Sequence, residues 1–312
     1  MANNRATREG YGEGLCALAE IRPDLVVLDA DLSAATKTSI FKKAYPEKHF
    51  NCGIAEQNMM GVAAGIASTG KLVFASSFAM FAAGRAFEII RNSIAYPKLN
   101  VKIGATHAGI SVGEDGATHQ CNEDIALMRA IPNMTIINPA DYTEAKAAVL
   151  AMAEHEGPAY LRFGRLAVPI FNDEAGYKFE LGKGITVKDG KDITVIATGL
   201  MVAEAMEAGR ILAEQGIDAR IINMHTIKPI DREIIVKAAR ETGKIITVEE
   251  HSVIGGLGSA VCDVVLEECP STVIKIGIPD NFSHSGPAKE LLVEYGLTAD
   301  NIVKTVKQVL KK

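Results

Sequence analysis

The stretch from Thr106 to Asn122 concentrates residue types that carry out acid–base and binding chemistry. It reads THAGISVGEDGATHQCN, so two histidines, two acidic residues and a cysteine lie among glycines. The segment has neither the period of a helix nor the alternation of a strand. Histidine exchanges protons near neutral pH, and glycine lets a backbone turn tightly around a ligand. The stretch therefore predicts an active-site loop, called the central loop below.

Residues 109–113 of the central loop read GISVG, which matches the G-x-S-x-G pattern of serine hydrolases. Asp115 and His119 follow Ser111 in hydrolase order, so a catalytic triad is one interpretation. That pattern requires a helix directly after the serine, whereas more glycine-rich sequence follows here. A triad confined to nine residues is also difficult to assemble. Both points disfavour a hydrolase.

Two further interpretations of the central loop are open. One is a metal site, because the loop contains recognised ligand types. These are His107, Asp115, His119 and Cys121, although their spacing matches no established ligand pattern. The other is an ordinary polar loop with hydrogen-bonded histidines. The density of titratable groups among glycines argues against an ordinary loop and favours one that faces a ligand.

A single carboxylate, Glu56, lies in the first turn of a predicted apolar helix from about Ala55 to Ser68. The helix dipole alone often explains an acidic residue at this position. This helix, however, is rich in alanine and glycine, which permit close packing and would bury the side chain. A buried carboxylate is costly unless it has a partner. Glu56 is therefore a candidate for a proton-sharing contact.

Phe78 and Phe81 lie three residues apart in a segment, 78–95, that predicts one helix ending before Pro97. This spacing places both rings on one face of a helix. Such a pair serves either as core packing, which is the commoner use, or as an aromatic wall of a binding site. The sequence alone leaves both uses open.

Strands and helices alternate along the chain, which predicts an α/β fold with two α/β domains and largely parallel sheets. The first domain would span residues 1–165. Residues 166–191 break the pattern with prolines and glycines, and predict an inter-domain connector. The second domain would span residues 192–312 and end in a helix, 300–310, with one apolar face.

Composition limits the classes of protein to which the chain can belong. The chain has 312 residues, which is enough for two domains. Its net charge of −5 provides no electrostatic attraction to nucleic acid. No apolar run is long enough to span a membrane, and the first ten residues are polar rather than signal-like. The five cysteines form no CxxC pair, which argues against structural zinc and against a disulfide framework. A soluble cytoplasmic protein is expected.

Four segments carry a resemblance to a known family: GIAEQN, SSFAMFAAGR, THAGISVGEDGATHQ and LMRAIPNMTIINPAD. Together they resemble the transketolase superfamily of thiamine diphosphate enzymes, over nearly the whole chain. The resemblance implies a pyrimidine-binding domain followed by a transketolase C-terminal domain. ADLSAATKT and GEDGATHQ are more similar to transketolase than to the beta subunit of 2-oxo-acid dehydrogenases. Deoxyxylulose-phosphate synthase is also similar around GIAEQ and THQ.

The resemblance implies a role for each matching position. Glu56 matches the catalytic glutamate that hydrogen-bonds N1′ of the cofactor's aminopyrimidine ring. The residues implied in cofactor binding are Glu56, Phe78, Phe81 and Asp31, and those implied in catalysis are Glu56, His107 and His119. The residues implied in binding the sugar phosphate are Arg8, His107, Asp115, His119 and Arg162, with Arg165 an equal neighbour of Arg162. Ala35 stands where many transketolases have a phosphate-binding serine, which leaves the preferred sugar open.

Enzymes of this superfamily bind the diphosphate and its Mg²⁺ through another domain, which bears a GDG motif. This chain has no GDG triplet, and its EDG at 114–116 and KDG at 188–190 lie in other contexts. The resemblance thus implies the C-terminal subunit of a split transketolase, which transfers a two-carbon ketol unit between sugar phosphates. A separate N-terminal subunit would supply the diphosphate and metal site in an α2β2 assembly. The alternatives are a subunit of a related thiamine diphosphate enzyme and a non-catalytic module of this fold.

The second predicted domain contains a glycine-rich turn, HSVIGGLG at residues 251–258. It lacks the complete G-x-G-x-x-G pattern of dinucleotide sites, because Val261 occupies the place of the last glycine. A structural loop is the simpler interpretation. The resemblance implies that this domain supports the dimer and takes no direct part in the chemistry.

Overall fold

The computed structural model describes residues 4–311, which form a mixed α/β structure with two main sheets. In chain order the strands are β1 (Asn4–Ala6), β2 (Val26–Asp29), β3 (His49–Asn51), β4 (Val73–Phe78), β5 (Val101–Thr106), β6 (Thr135–Ile137), β7 (Ala159–Arg162), β8 (Ala167–Pro169), β9 (Ile185–Lys188), β10 (Ile193–Ala197), β11 (Ala219–Asn223), β12 (Thr226–Lys228), β13 (Lys244–Ser252) and β14 (Thr272–Ile278). The α-helices are α1 (Thr7–Ile21), α2 (Ser33–Thr36), α3 (Thr38–Ala44), α4 (Glu56–Ala67), α5 (Phe87–Ile89), α6 (Asp124–Ala130), α7 (Tyr142–Ala151), α8 (Met201–Glu214), α9 (Arg232–Thr242), α10 (Leu257–Glu268), α11 (Ala288–Glu294) and α12 (Ala299–Leu310). Turns of 3₁₀ helix cover Pro46–Lys48 and Ile110–Asp115, and π-helical turns cover Met80–Arg85 and Ile90–Ala95.

The first sheet has seven strands in the order β12-β6-β7-β5-β4-β2-β3, and every neighbouring pair except β12 and β6 is parallel. Parallel strands joined by crossover helices place all their carboxyl ends at one edge of the sheet. The register pairs Phe78 of β4 with Thr106 of β5, and Asp29 of β2 with Ser76 of β4. Residues that follow these strands are therefore neighbours, although they are distant in the sequence.

Apolar side chains cover both faces of the first sheet. On one face α1, α3 and α7 bury the large rings of Tyr11, Phe41 and Phe74. On the other face α4 and the π-helical turns pack mainly through small residues such as Ala63 and Ala82. Removing apolar area from water is the main favourable term in folding. The small residues let α4 lie close to the sheet, and this closeness buries the side chain in its first turn.

The second sheet has the order β14-β13-β10-β11-β9, with β9 antiparallel at its edge. Helices α8 and α12 pack on one face, and α9 and α10 pack on the other. The predicted apolar face of the last helix is confirmed, because Ile302, Val303 and Val306 are buried. Helices on both faces of mainly parallel sheets confirm the predicted α/β class.

The two sheets are joined by more than the connector. Strand β8 pairs with β1, and β9, which lies within the predicted connector, belongs to the second sheet. Strand β12, from the region predicted for the second domain, extends the first sheet. The apolar cluster on one face of the first sheet also continues into α9 and α10. Strands and helices from the second half of the chain therefore pack against the first sheet.

The segment predicted as one helix over residues 78–95 is built differently. Phe78 is the last residue of β4, and the helical stretch after it contains the two π-helical turns. A π-helical turn holds an extra residue relative to an α-helix, so it shifts the following side chains around the axis, often at functional sites. Phe78 and Phe81 therefore meet across a strand-to-helix corner. Within residues 4–311, no helix is both long enough and apolar enough to cross a membrane.

Candidate active site

The candidate active site lies at the carboxyl edge of the first sheet. Phe78 ends β4, His107 follows β5, Arg165 follows β7 and Asp31 follows β2. Glu56 begins α4, which comes after β3. In open α/β sheets ligands bind at this edge, because the loops that leave the strands converge there. The parallel topology thus brings together residues that the sequence could only name separately.

The Glu56 carboxylate is buried, with 1% of its surface exposed. The Ser77 hydroxyl donates to one carboxylate oxygen over 3.3 Å, and Arg85 Nη1 donates to the other over 2.7 Å. Arg85 is half exposed, and its guanidinium carbon also lies 4.7 Å from the centre of the Phe81 ring. Burial of Glu56 and the need for a partner were both expected. The carboxylate is thus buried, whereas its cationic partner reaches solvent.

Aromatic rings line the space next to this ion pair. The Phe78 and Phe81 rings stack with their centres 5.9 Å apart, and the His107 ring stacks on Phe78 at 3.9 Å. His119 meets Phe81 edge-on, with a distance of 5.3 Å between centres. Stacked and edge-on pairs stabilise each other beyond their buried area. The two phenylalanines thus form an aromatic wall, and both histidines of the central loop contact it.

His107 is fixed by its backbone and by a neighbouring hydroxyl. Its φ of 57° lies in the left-handed region, which is uncommon for residues other than glycine. Its Nδ1 lies 2.9 Å from Thr106 Oγ1, and the side chain is 3% exposed. Since Nδ1 is engaged, Nε2 is the ring atom available to a ligand. Such backbone strain persists where the surrounding structure enforces it, and it clusters at functional sites.

His107 is held in its neutral form. Burial, together with the nearby Arg8, Arg165, His119 and Lys37, lowers the pKa of His107 to about 3. The imidazole is therefore uncharged throughout the physiological pH range. A neutral ring can donate or accept a hydrogen bond, but it cannot act as a cation. The variable protonation that suits histidine in general is thus excluded for this residue near neutral pH.

This depressed pKa predicts how the stability of the chain depends on pH. In the unfolded chain His107 takes up a proton near pH 6.5, whereas in the folded chain it does so only near pH 3. Its contribution to stability is therefore present above pH 6.5 and is lost as the pH falls towards 3. Asparagine tolerates a left-handed backbone, so His107→Asn keeps the local conformation. Between pH 7 and 5 we expect the free energy of unfolding of this variant to fall less than that of the wild type. Urea unfolding at several pH values measures this, and an identical pH dependence in the two proteins would contradict it.

The structure excludes the serine-hydrolase interpretation of the central loop. Ser111 is buried, with 1% exposed, and it lies in 3₁₀ turns rather than at a strand-to-helix elbow. The Ser111 hydroxyl also has no hydrogen-bond partner within residues 4–311, so the histidine base that a triad requires is not beside it and the triad interpretation is wrong. Within residues 4–311, no group of three or more histidine, cysteine or acidic side chains is arranged to hold a metal ion.

Arg8 and Arg165 place two guanidinium groups beside the central loop. Arg8 Nη1 donates to the Ala35 carbonyl over 2.7 Å, while its buried Nε has no hydrogen-bond partner within residues 4–311. Burial and the positive charge of Arg165 lower the pKa of Arg8. Arg165 donates to the Val112 carbonyl and to the exposed Glu114, the latter over 3.1 Å. Two guanidinium groups this close repel each other, and an anion bound between them would relieve that repulsion.

Arg162, for which the resemblance implied phosphate binding, lies inside the protein and is hydrogen-bonded there. This side chain is 3% exposed, and its Nε donates to Asp124 Oδ2 over 2.8 Å. Its Nη2 donates to the Glu250 and Cys121 carbonyls over 2.9 and 3.4 Å. Burial is the largest influence and lowers the pKa of Arg162, but the charge and hydrogen bond of Asp124, together with the Glu250 and Tyr160 side chains, raise it by more, so the net pKa is raised. Because the protein already occupies these donors, Arg165 is the better candidate for a phosphate ligand.

The other predicted residues lie at the rim of the site. Asp31 is exposed, and its carboxylate accepts a hydrogen bond from Asn51 Nδ2 over 2.8 Å. Asp115 is exposed at the end of the 3₁₀ turns. His119 is half-buried, with Nδ1 2.9 Å from Thr118 Oγ1. Rim positions are accessible to a substrate or to a second subunit.

The sequence reasoning missed two residues of the site. Arg85 pairs with Glu56 and covers Phe81, and it ends the segment SSFAMFAAGR. A search of that segment for a partner of the buried carboxylate could have found it. Glu250 hydrogen-bonds the central loop from the second half of the chain. No local pattern connects Glu250 to the loop, so only the tertiary structure shows this contact.

Comparison with known proteins agrees with this geometry. Residues 3–170 match the family described as "Transketolase, pyrimidine binding domain", and residues 182–302 match "Transketolase, C-terminal domain". The chain is 55% identical to a Methanocaldococcus jannaschii protein described as "Putative transketolase C-terminal section", over 99% of this chain and 97% of that protein. It is 42% identical to one of the subunits of the apulose-4-phosphate transketolase of Phocaeicola vulgatus, over 100% of both proteins.

A solved structure supports the same assignment. It is described as a split gene transketolase in an inactive beta4 tetramer, and it superimposes with a TM-score of 0.92 at 56% identity, over 98% of each chain. Both domain matches follow each other in the order seen in the fold, and together they cover most of the chain. This chain therefore belongs to the transketolase family, and its two domains correspond to the C-terminal section of a transketolase.

Proposed function

We propose that this chain binds the pyrimidine half of thiamine diphosphate and faces the sugar substrates of a split transketolase. The assembled enzyme would transfer a two-carbon ketol unit from a ketose phosphate to an aldose phosphate. The observation that carries the proposal is the buried Glu56 carboxylate beside the stacked rings of Phe78 and Phe81. A carboxylate next to an aromatic face at a ligand-binding edge suits a planar heterocycle that can be protonated.

The residues present fit this cofactor. The Glu56 oxygen that now accepts from Arg85 is suited to a hydrogen bond with N1′ of the aminopyrimidine, and the phenyl rings provide its stacking surface. When bound, thiamine diphosphate supplies the carbon nucleophile for the sugar carbonyl. We propose that the N-terminal subunit holds the diphosphate and Mg²⁺, because this chain lacks the GDG motif.

Glu56 would act by holding a proton at N1′. A charge-assisted hydrogen bond of this kind contributes about 1.5–3 kcal/mol. Because Glu56 is buried, water does not compete for its carboxylate. The Ser77 hydroxyl donates to the carboxylate oxygen that does not face N1′ and so orients the group. General acid–base assistance of this type contributes about 10²–10⁴-fold to a rate.

The central-loop histidines would bind the oxygens of the sugar. When the Thr106 hydroxyl donates to His107 Nδ1, Nε2 carries the proton and donates to a substrate oxygen. Because His107 is neutral at pH 7, it polarises that oxygen without adding a charge. His119 and Asp115 at the rim would bind sugar hydroxyls and contribute to stereochemical selection.

The anionic end of the substrate would bind to Arg8 and Arg165. Two observations support this assignment: the mutual repulsion of the two guanidinium groups, and the Arg8 Nε, which lacks a hydrogen-bond partner among the described residues. Arginine forks bind phosphate bidentately. Since Ala35 occupies the place of a phosphate-binding serine, the contribution of these arginines should be larger than in enzymes that have the serine.

Affinity purification of the tagged chain from its own cells tests the proposal. We expect a second polypeptide with a GDG motif to co-purify, in an α2β2 complex that transfers ketol units when thiamine diphosphate and Mg²⁺ are added. The chain alone should be inactive under the same conditions. Ketol transfer by the isolated chain would refute the need for a partner. A co-purified complex that binds the cofactor but transfers nothing would refute the enzymatic role.

A further inference from the structure

The central loop is held from the second domain as well as from its own. The Ser111 N–H donates to Glu250 Oε1 over 2.6 Å, and Glu250 lies in β13 of the second sheet. Gln120 Nε2 donates to the His284 carbonyl over 3.1 Å. Helix α11 packs directly against the 3₁₀ turns of the loop. Elements of the second domain therefore form one wall of the loop that carries the site histidines.

Glu250 makes the closest of these contacts. Glu250 is 3% exposed, and its carboxyl group lies directly against Gly109, where a Cβ would overlap it. Gly109 also has a φ of +81°, a conformation that only glycine adopts easily. The loop thus approaches the carboxyl group with its bare backbone, and the hydrogen bond at Ser111 fixes the distance. On the other side, the Glu250 carbonyl accepts from the buried Arg162.

We infer that Glu250 is a positioning residue, whose carboxyl group anchors the central loop through Gly109 and Ser111 and so sets where His107 and His119 lie. This role extends beyond support of a dimer, which is all that the resemblance implied for the second domain. The inference rests on the proposed function only for what the positioned histidines do. The anchoring itself is a property of the chain alone.

The neighbouring residue Glu249 provides a matched comparison. Successive residues of a strand point to opposite faces of the sheet. Glu249 therefore faces away from the loop, and its carboxylate accepts from the N–H groups of Leu257 and Gly258 over 2.6 and 2.8 Å, at the start of α10. Both glutamates are buried, and burial raises the pKa of each to about 7. Glu250 is hydrogen-bonded to the central loop, whereas Glu249 is hydrogen-bonded to the start of α10. Comparing the alanine variants of the two glutamates therefore separates the anchoring of the loop from the general cost of removing a buried acid.

The charges around Glu250 indicate which substitution should preserve its contact with the loop. Burial raises the pKa of Glu250 to about 7, although the charge of Arg162 and the hydrogen bonding of Ser111 lower it, so the protonated form is accessible near neutral pH. A glutamine resembles the protonated form and keeps an oxygen that accepts from Ser111. Alanine keeps neither the acceptor nor the volume. Glu250→Gln should therefore retain the anchor, and Glu250→Ala should remove it.

Hydrogen exchange of the isolated chain, followed by mass spectrometry, tests the anchor directly. We expect Glu250→Ala to accelerate exchange in residues 109–121 about tenfold or more, because a buried hydrogen bond to the Ser111 amide is lost. Peptides from the core strands of both sheets should exchange as in the wild type. Glu250→Gln should protect the loop nearly as well as the wild type, and Glu249→Ala should leave the loop protected while loosening the start of α10.

A second variant approaches the contact from the loop side. Gly109→Ala would place a Cβ where the Glu250 carboxyl group lies, and should accelerate exchange of the same peptide. Unchanged loop exchange in Glu250→Ala would overturn the inference, as would equal acceleration of the loop by Glu249→Ala. Neither result depends on ketol transfer, so a failure of the proposed function would be recognised separately.

The assembled enzyme provides a readout that a purely structural role would not change. In the complex purified with its partner, Glu250→Ala should raise KM for the ketose substrate about tenfold, because the histidines lie on the released loop. The affinity for thiamine diphosphate should stay within about twofold, because Glu56, Phe78 and Phe81 lie on other elements. An equal loss of cofactor and substrate affinity would indicate a general loss of structure and would contradict positioning.

Discussion

Glu56→Gln should lower kcat of the assembled enzyme by about 10²–10⁴-fold, while the two kinds of subunit still assemble. Glutamine fills nearly the same volume, its one amide oxygen can still accept from Arg85, and its NH2 group can donate to the Ser77 hydroxyl. It cannot, however, hold and return a proton at N1′ of the cofactor. The measurement is the steady-state rate of ketol transfer at saturating cofactor and sugar, with the mass of the complex determined in parallel.

Glu88→Gln is the matched control for this prediction. Glu88 is a carboxylate at the surface, on the short helix that follows Arg85, and it accepts a hydrogen bond from Asn92. Removing its charge should leave the rate within about twofold of the wild type, as is usual for surface substitutions. If Glu56→Gln kept more than about a tenth of the wild-type rate, the proton-holding role would be refuted. A complex that failed to assemble would instead give Glu56 a structural role.

Arg162→Met should lower the free energy of unfolding of the isolated chain by about 3–5 kcal/mol. The substitution leaves the buried Asp124 carboxylate without its cationic partner, and in the described part of the chain the Tyr160 hydroxyl is the one remaining donor to that Oδ2, over 2.9 Å. An uncompensated buried charge is among the most destabilising changes in proteins. Urea unfolding followed by circular dichroism measures the loss.

A double substitution distinguishes the buried charge from lost packing. Arg162→Met combined with Asp124→Asn removes both charges, and asparagine still accepts from Tyr160. We expect the pair to recover at least half of the lost stability. No recovery would assign the loss to packing around the arginine. A cost below about 1 kcal/mol for Arg162→Met alone would show that the ion pair is less isolated from water than the structure indicates.

Arg165→Met should affect substrate binding rather than stability, in contrast to Arg162→Met. Its side chain is partly exposed and its acidic partner Glu114 lies at the surface, so stability should change by no more than about 0.5 kcal/mol. In the assembled enzyme KM for a phosphorylated sugar should rise about 10–100-fold, because one charge-assisted contact is lost. An unphosphorylated sugar provides the control and should be unaffected. Equal effects on both sugars would place Arg165 away from the phosphate.

Much of the fold could be predicted from local patterns. Apolar strands alternating with helices predicted parallel sheets, and the apolar stripe of the last helix predicted how it docks. The small residues of α4 predicted that Glu56 is buried, because side-chain volume controls how closely a helix packs on a sheet. These inferences succeeded because each depends on residues close together in the sequence. The helix predicted over 78–95 was less accurate, since no local pattern distinguishes π-helical from α-helical turns.

The choice between Arg162 and Arg165 shows what a sequence cannot decide. The two arginines are three residues apart in the segment YLRFGR, and either could bind a phosphate. Arg162 lies within a central strand and meets Asp124 from another element, whereas Arg165 lies beyond the end of that strand. The partner of a buried charge is set by which elements pack together. That packing depends on contacts between residues far apart in the chain.

The central loop shows the same division. The residues that carry its chemistry, His107, Asp115 and His119, were recognisable from their types and from the glycines between them. The protonation state of His107 and the contact that anchors the loop could not be recognised from the sequence. His107 is neutral because burial and nearby cations that are distant in the sequence raise the free energy of its charged form, and the loop is anchored by Glu250 from another domain. Desolvation and long-range contacts are properties of the folded chain, so only the tertiary structure decided them.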